Sequence, residues 1–557
     1  MITAMKGYEC FANIVRTYGT KYIFYQDAIF RRGLKEAEKY GIKPIMTHSE
    51  GAAGSMADGY ARASKHVGIC MAQSIGSANL TGGIMDGWLA CSPIIAITGK
   101  KLPQFQYRNS YQEARHYNMF ADITKFNAEI TETDSQFEFL FRQCYKEATT
   151  GKPRPVHFDI MGRDAIETDY SETLAPSEGL EPRYGCVPPH RISADAELVR
   201  QAVEEINRAQ RPVLFVGRGA AISEAGDEVH ALAVKGDIPV STTPDGKTVI
   251  DEADPIWVGT TGTYGMNSAN QLLRQADLVI IVGSQTSDNV TADWSSPPRS
   301  TRVIQIDIAP EELGRSYPNS IGLCGDAKTV LAQLVAGVEE TKRPAWRGTA
   351  AALLADTRKK QQESYKEVPG LVHPAHLYAE VNKVLPEDAI LVVDTGYTSV
   401  WSSTIMTLKK TQNYFRATGS LGWSYPGSLG VKCGAPDRPV VCITGDGGFY
   451  YYMMEMETAV RYGINTVTVI DNNSRLNACT PQAELVFGDN ESEIRRAIGY
   501  TNTPFAEIAE KIGCYAVTVD SREEIGPAVR KALLSGRPAV VEVRTQAVRH
   551  LPSSWEA

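Results

Sequence analysis

Apolar residues in this chain gather into short unbroken runs. Val440-Val441-Cys442-Ile443-Thr444, Thr466-Val467-Thr468-Val469-Ile470, Leu278-Val279-Ile280-Ile281-Val282 and Pro212-Val213-Leu214-Phe215-Val216 are five residues each and rich in β-branched side chains. Runs of this length and make-up predict strands buried on both faces, as in parallel sheets covered by helices. Helical stretches separate them, among them Asp195 to Arg208 and Tyr450 to about Arg461. Strand and helix in regular alternation predict an α/β fold.

The alternation falls into three blocks. The first holds strand candidates at Lys21 to Tyr25, Val67 to Ala72, Ser92 to Thr98 and Pro155 to Ile160, and ends before a Pro- and Glu-rich stretch from Ala175 to Pro189 that reads as a linker. The second runs from Asp195 through Val303-Ile304-Gln305-Ile306-Asp307, and a charged, Ala-rich connector from about Pro344 to Lys366 leads into the third. The expectation is therefore three doubly wound parallel-sheet domains, at 1–170, 190–340 and 367–557. A length of 557 residues agrees, since it suggests roughly three to four domains.

Composition narrows the partners. With 43% hydrophobic and 22% charged residues the chain reads as an ordinary globular protein, and a net charge of −8 without a basic run argues against nucleic acid. Ten cysteines lie scattered without CxxC spacing, which predicts buried thiols in a reducing compartment rather than a disulfide framework or zinc site. Met1-Ile2-Thr3-Ala4-Met5-Lys6-Gly7 lacks the apolar core of a secretory signal, and no run of about 18 apolar residues spans a membrane. The cytoplasm is the expected location.

Gly445-Asp446-Gly447-Gly448-Phe449 closes one apolar run, and Asp471-Asn472-Asn473 closes another. Twenty-four residues lie between Gly447 and Asn472, enough for a helix, a turn at Tyr462-Gly463 and a strand. Asp446 and Asn473 thus stand at the carboxyl ends of two strands, where ligands bind in parallel α/β sheets. An acidic side chain and an amide oxygen are hard donors suited to a divalent metal. Glycines without Cβ atoms let backbone N–H groups approach phosphate oxygens, and the helix that follows aims its positive end at the same anion.

This pairing resembles the diphosphate-binding motif of thiamin diphosphate enzymes, and the three-block layout resembles the acetolactate synthase and pyruvate oxidase type: pyrimidine-binding, central and diphosphate-binding domains. The resemblance implies metal ligands at Asp446, Asn473 and the carbonyl of Arg475 around Mg2+, with Gly445, Gly447 and Gly448 against the diphosphate. It makes Glu50, in Thr47-His48-Ser49-Glu50-Gly51-Ala52-Ala53, the glutamate that bonds the pyrimidine and drives its tautomer; His48 is its neighbour. Gly396, Tyr397, Thr398 and Ser399, after the strand Ile390 to Val393, match the first diphosphate loop, and Leu421 falls at the apolar wedge beneath the two rings. Gln112 matches a glutamine near the reacting carbonyl, and Asp27 a position where some 2-oxo acid decarboxylases carry an aspartate.

The activity implied is making or breaking a carbon–carbon bond next to a carbonyl, with an acetolactate-synthase-like carboligase or decarboxylase as first reading. A 2-hydroxyacyl-CoA lyase or oxalyl-CoA-decarboxylase-like enzyme is the alternative, and an inactive regulatory subunit of the same fold is the reading of another class, opposed by the presence of Glu50, Asp446 and Asn473 together. The chain departs from biosynthetic acetolactate synthases beyond Asn473, where Gln482 stands in place of their tryptophan, and at Gln73-Ser74-Ile75-Gly76. Relatives use the central domain for FAD, for ADP or for nothing; Gly217-Arg218-Gly219-Ala220 and Gln305 to Gly314 are the segments concerned, with Gly262 to Asn267 beside them. The partners implied are a small-molecule substrate and further copies of the chain, a homodimer or homotetramer with active sites between subunits.

Overall fold

In the computed structural model, residues 4–26, 29–161, 168–169, 171–174, 179–318, 320–365 and 370–548 are described. They contain three six-stranded sheets, in which every strand pair is parallel. The first runs in the order Lys43–Met46, Tyr22–Gln26, Gly68–Gln73, Ile94–Lys100, Val156–Met161, Phe126–Glu129. The third runs Asn413–Arg416, Ile390–Val393, Val440–Gly445, Val467–Asn472, Ala539–Arg544, Tyr515–Val519. Numbered along the chain, both read 2-1-3-4-6-5. The central sheet differs. Its order, Trp257–Thr260, Val240–Thr242, Pro212–Val216, Leu278–Val282, Arg302–Asp307, Ser320–Cys324, reads 3-2-1-4-5-6.

The buried runs became the middle strands. Pro212–Val216, Leu278–Val282 and Ile390–Val393 are buried at every position, as strands with helices on both faces must be. In each sheet the chain runs outward in both directions from its first strand, and in such sheets a crevice opens at that switch point, at the carboxyl ends. In the third sheet it lies between Ile390–Val393 and Val440–Gly445. Register sets the next strand level with the second of these, pairing Gly445 with Asp471.

The first and third units share a core. Met56, Tyr60 and Phe24 from one pack in a single apolar cluster with Leu429, Tyr425, Phe449 and Phe505 from the other. Two helices, Glu50–Ser64 and Ser424–Gly434, cross at this junction almost backbone to backbone. A Cβ on Gly59 would fall 2.0 Å from the carbonyl oxygen of Gly427, and one on Gly430 would fall 1.9 Å from that of Met56. Only glycine allows such an approach.

Two features differ from the sequence reading. The stretch expected to be a loose linker is packed at its end: Val67 donates to the Gly185 carbonyl at 3.0 Å and Val187 to that of Lys65 at 2.9 Å, strapping it to the first unit. The helix expected from Tyr450 starts earlier, at Asp446 itself, and is two helices, Asp446–Tyr452 and Glu455–Tyr462. An antiparallel ribbon, Ala4–Lys6 with Glu172–Leu174, is an addition. Among the described residues no helix is long and apolar enough to cross a membrane.

Candidate functional site

Asp446 opens its helix directly after the strand Val440–Gly445 and is buried. Its Oδ1 accepts the Gly447 N–H at 2.6 Å, but its Oδ2 is buried without a protein partner. Burial pushes this carboxyl up to about 7, against the N–H groups of Gly447, Ser474 and Arg475. The segment 473–475 therefore lies against Asp446. In it, Asn473 holds a second buried oxygen, Oδ1, without a partner. Its neighbour Asn472 is already committed, with Nδ2 donating to buried Glu542 at 2.7 Å and Oδ1 accepting the Ser474 N–H at 3.2 Å. Arg475 pairs its guanidinium with Glu491, and its carbonyl accepts the Asn477 N–H at 2.8 Å.

Two orphaned oxygens at the ends of adjacent strands are an expensive arrangement unless a cation completes it. A carboxylate, an amide and a carbonyl are donors that fit a hard ion such as Mg2+. No cluster of three or more His, Cys, Asp or Glu side chains able to hold a metal occurs among the described residues.

Across the crevice, Asp394 follows the strand Ile390–Val393 and organises the loops around it. It accepts N–H groups from Thr395 at 2.8 Å and Gly422 at 3.1 Å, and the Ser424 hydroxyl at 2.6 Å. Gly448 lacks the Cβ that would come within 3.0 Å of Asp394 Oδ2, so the glycine-rich helix start can lie against this carboxylate. Gly396, at φ 72°, occupies the left-handed region and turns the chain into the helix Tyr397–Ile405, whose first turn holds Thr398 and Ser399. Leu421 is half-buried between Ser420 and Gly422 in the loop that Asp394 grips. Asp394 itself was not singled out in the sequence; its position at the end of an apolar strand, beside the expected diphosphate loop, was the available signal.

Glu50 begins the helix Glu50–Ser64 and is half-buried. Asn79 Nδ2 donates to its Oε2 at 3.1 Å, and a Cβ on Gly76 would lie 2.5 Å from its Oε1. The Gln73-to-Gly76 turn, which departs from the resembled family in sequence, thus serves as the floor for this carboxylate. Ser74, at φ 39°, shares that turn. It donates through Oγ to the Gln112 carbonyl and accepts at its own carbonyl from His116 Nε2 at 2.9 Å; the other ring nitrogen of His116 faces Asp159 at 3.0 Å. Gln112, at φ 58°, keeps Oε1 buried and unpartnered. Glu50, Asn79, Ser74 and Gln112 are therefore one connected cluster. Asp27 lies outside the described residues. His48 sits at the surface, bonded to Glu457 at 2.8 Å, rather than beside the Glu50 carboxylate.

A Cβ on Gly51, next to Glu50, would lie 2.5 Å from the hydroxyl of Tyr452, the last residue of the helix that Asp446 begins.

A cavity of about 650 Å3 lies where the central sheet reverses, lined by Arg218, Ser284, Asp307, Tyr264, Arg416 and Thr418 among others. Arg218 presents a buried, unpartnered Nε. Gly219 and Gly283 serve packing between the two turns, since a Cβ on Gly219 would lie 2.7 Å from the Gly283 Cα.

Comparison with known proteins follows the same division. Residues 5–119 match the thiamine pyrophosphate enzyme N-terminal TPP binding domain, 199–334 the central domain, and 394–543 the C-terminal TPP binding domain. The acetolactate synthase large subunit of Corynebacterium glutamicum is 30% identical over 512 residues, covering 90% of this chain and 80% of the relative. A probable acetolactate synthase large subunit of Methanocaldococcus jannaschii is 29% identical over 573 residues, covering 98% and 93%. The isozyme 1 large subunit of Escherichia coli is 26% identical over 514 residues, covering 91% and 87%.

Proposed function

Because the chain belongs to the thiamine pyrophosphate enzyme family, we propose that it is a Mg2+-dependent, acetolactate-synthase-like carboligase acting on 2-oxo acids. The observation that carries this reading is the pair of buried, unpartnered oxygens on Asp446 and Asn473 at neighbouring strand ends. With the Arg475 carbonyl they supply three protein ligands to a metal that clamps a diphosphate. The backbone N–H groups of Gly448 and Thr398 would meet the phosphate oxygens, those of Gly447 and Ser399 being bonded already to Asp446 at 2.6 Å and to the Gly396 carbonyl at 3.1 Å, and Gly445 and Gly396 give the chain its turns there.

When bound, thiamin diphosphate supplies a nucleophilic carbon and an electron sink beside the substrate carbonyl. Glu50, oriented by Asn79, would hold the pyrimidine ring and the proton that sets its tautomer, and Leu421 would be the apolar support of the rings. Gln112 would donate its side-chain amide to the substrate oxygen as charge builds there. The family membership supports a homodimer or homotetramer with active sites between subunits, in which one subunit's Glu50 would serve its partner's metal site. Relatives use the central domain for FAD, for ADP or for nothing, and the cavity where Arg218 offers an unpaired N–H is where such a nucleotide would bind. Ten free thiols suit a reducing cytoplasm.

The test is calorimetric titration of the purified protein with thiamin diphosphate, with and without MgCl2, followed by a screen of pyruvate, other 2-oxo acids, 2-hydroxy ketones and acyl-CoAs with mass detection of products. Mg2+-dependent binding and carboligation of a 2-oxo acid are expected. Turnover confined to acyl-CoAs would replace the substrate assignment, and no cofactor binding would overturn the reading. A visible spectrum reports bound flavin, and light scattering the dimer.

A further inference from the structure

The helix Ser77–Leu89 carries Asn79 against Glu50 and, two turns on, Asp86 against a different part of the site. Asp86 is wholly buried. Its carboxylate accepts the Thr418 N–H at 2.8 Å and the Ser420 N–H at 3.0 Å, both in the third unit, and the Arg62 guanidinium at 2.7 Å. Arg62 in turn bonds Asp58 through Nε at 2.8 Å, donates to the Arg416 carbonyl at 2.7 Å, and lies 4.0 Å over the ring of Trp423. Leu421 therefore stands between two carboxylate anchors. Asp86 holds the residue before it and Asp394 the residue after it.

We propose that Asp86, backed by Arg62, is a positioning residue through which the first unit fixes the height of Leu421 beneath the cofactor. The inference rests on the assignment of Leu421 to the wedge. Two loop N–H groups held by one buried carboxylate and a third, that of Gly422, held by Asp394 over-determine a short loop, and an apolar support that must bend a flexible cofactor needs that rigidity, because a displacement of about 1 Å in such a support can cost about 100-fold in rate. Charge pairing explains why an aspartate serves: the Arg62 guanidinium lies between the carboxylates of Asp58 and Asp86 in a dry interior, and none of the three is stable there unpaired.

Full-length wild type is compared with Asp86→Asn, Leu421→Ala and the double variant. Titration with thiamin diphosphate and MgCl2, read by tryptophan fluorescence, comes first; no saturable binding by the wild type overturns the site assignment and this inference with it. In the protein without cofactor, amide hydrogen exchange across Thr418–Gly422 is expected to accelerate about tenfold in Asp86→Asn. With cofactor bound, exchange of its C2 proton followed by NMR is expected to slow about tenfold while affinity changes less than about threefold, and the double variant to be no slower than Leu421→Ala alone. Unchanged amide exchange, or unchanged C2 exchange despite faster amides, overturns the role of Asp86. Should Asp86→Asn not fold, Asp86→Glu keeps the charge beside Arg62 and is read by the same measurements and the same outcomes.

Discussion

Asn79 donates its side-chain amide to Oε2 of Glu50 at 3.1 Å, on the open side of a carboxylate whose other oxygen rests over Gly76. Glu50→Gln keeps the size and loses the proton acceptor. Steady-state turnover is expected to fall about 100-fold or more, with cofactor affinity changed by less than about tenfold. Asn79→Ala, which leaves the carboxylate in place but unoriented, is expected to lower turnover about tenfold.

Asp446→Ala and Asn473→Ala each remove one oxygen that no protein group satisfies. Each is expected to weaken thiamin diphosphate binding in MgCl2 about 100-fold, and binding by the wild type to fall similarly in EDTA and return with Mg2+. Asn472→Ala separates ligation from scaffolding, because it breaks the 2.7 Å bond to buried Glu542. Its main effect is expected on the denaturation midpoint, at about 1 to 3 kcal/mol.

The glycine crossing predicts a stability effect with an internal control. Gly430→Ala places a methyl where only 1.9 Å separates it from the Met56 carbonyl, so a loss of about 2 kcal/mol or more is expected in urea denaturation. Gly348→Ala, on the exposed helix Pro344–Ser364 with nothing within 4 Å, is expected to gain about 1 kcal/mol.

Asp307 lines the central cavity, and burial pushes its carboxyl up to about 6 against the N–H of Ala309 at 2.9 Å. A carboxyl whose folded value exceeds its unfolded one opposes folding once ionised. The opposition is absent below about pH 4, grows between about 4 and 6, and is constant above. Asp307→Asn is therefore expected to raise stability by about 2 to 3 kcal/mol at pH 8, with the gain vanishing toward pH 4. Chemical denaturation at the two pH values measures it.

The sequence revealed the fold best where strands are buried on both faces. Leu278–Val282 and Val440–Gly445 are legible because nothing polar can stand in the middle of a covered parallel sheet. Edge strands are partly exposed at most positions, as Tyr515–Val519 and Ser320–Cys324 are, and Ser320–Cys324 carries no comparable run. The Asp446 and Asn473 motif was legible because both halves follow such central strands. Asp86, Asn79 and His116 were not, since each acts on a partner far away in sequence: Asp86 reaches Thr418 across 332 positions. The one local hint was Asp58 and Arg62, four apart in a helix of small residues, a charged pair with no surface to face.

The identical strand order of the first and third sheets gives the chain a kind of internal symmetry. Gln73-Ser74-Ile75-Gly76 and Gly445-Asp446-Gly447-Gly448 follow the third strand of their respective sheets, so they are the same corner of one architecture built twice. One copy became a neutral floor under a glutamate, and the other became an acidic, glycine-lined cradle. The difference between the two corners therefore lies in the side chains set on them and owes nothing to the strand order beneath, which is the same in both.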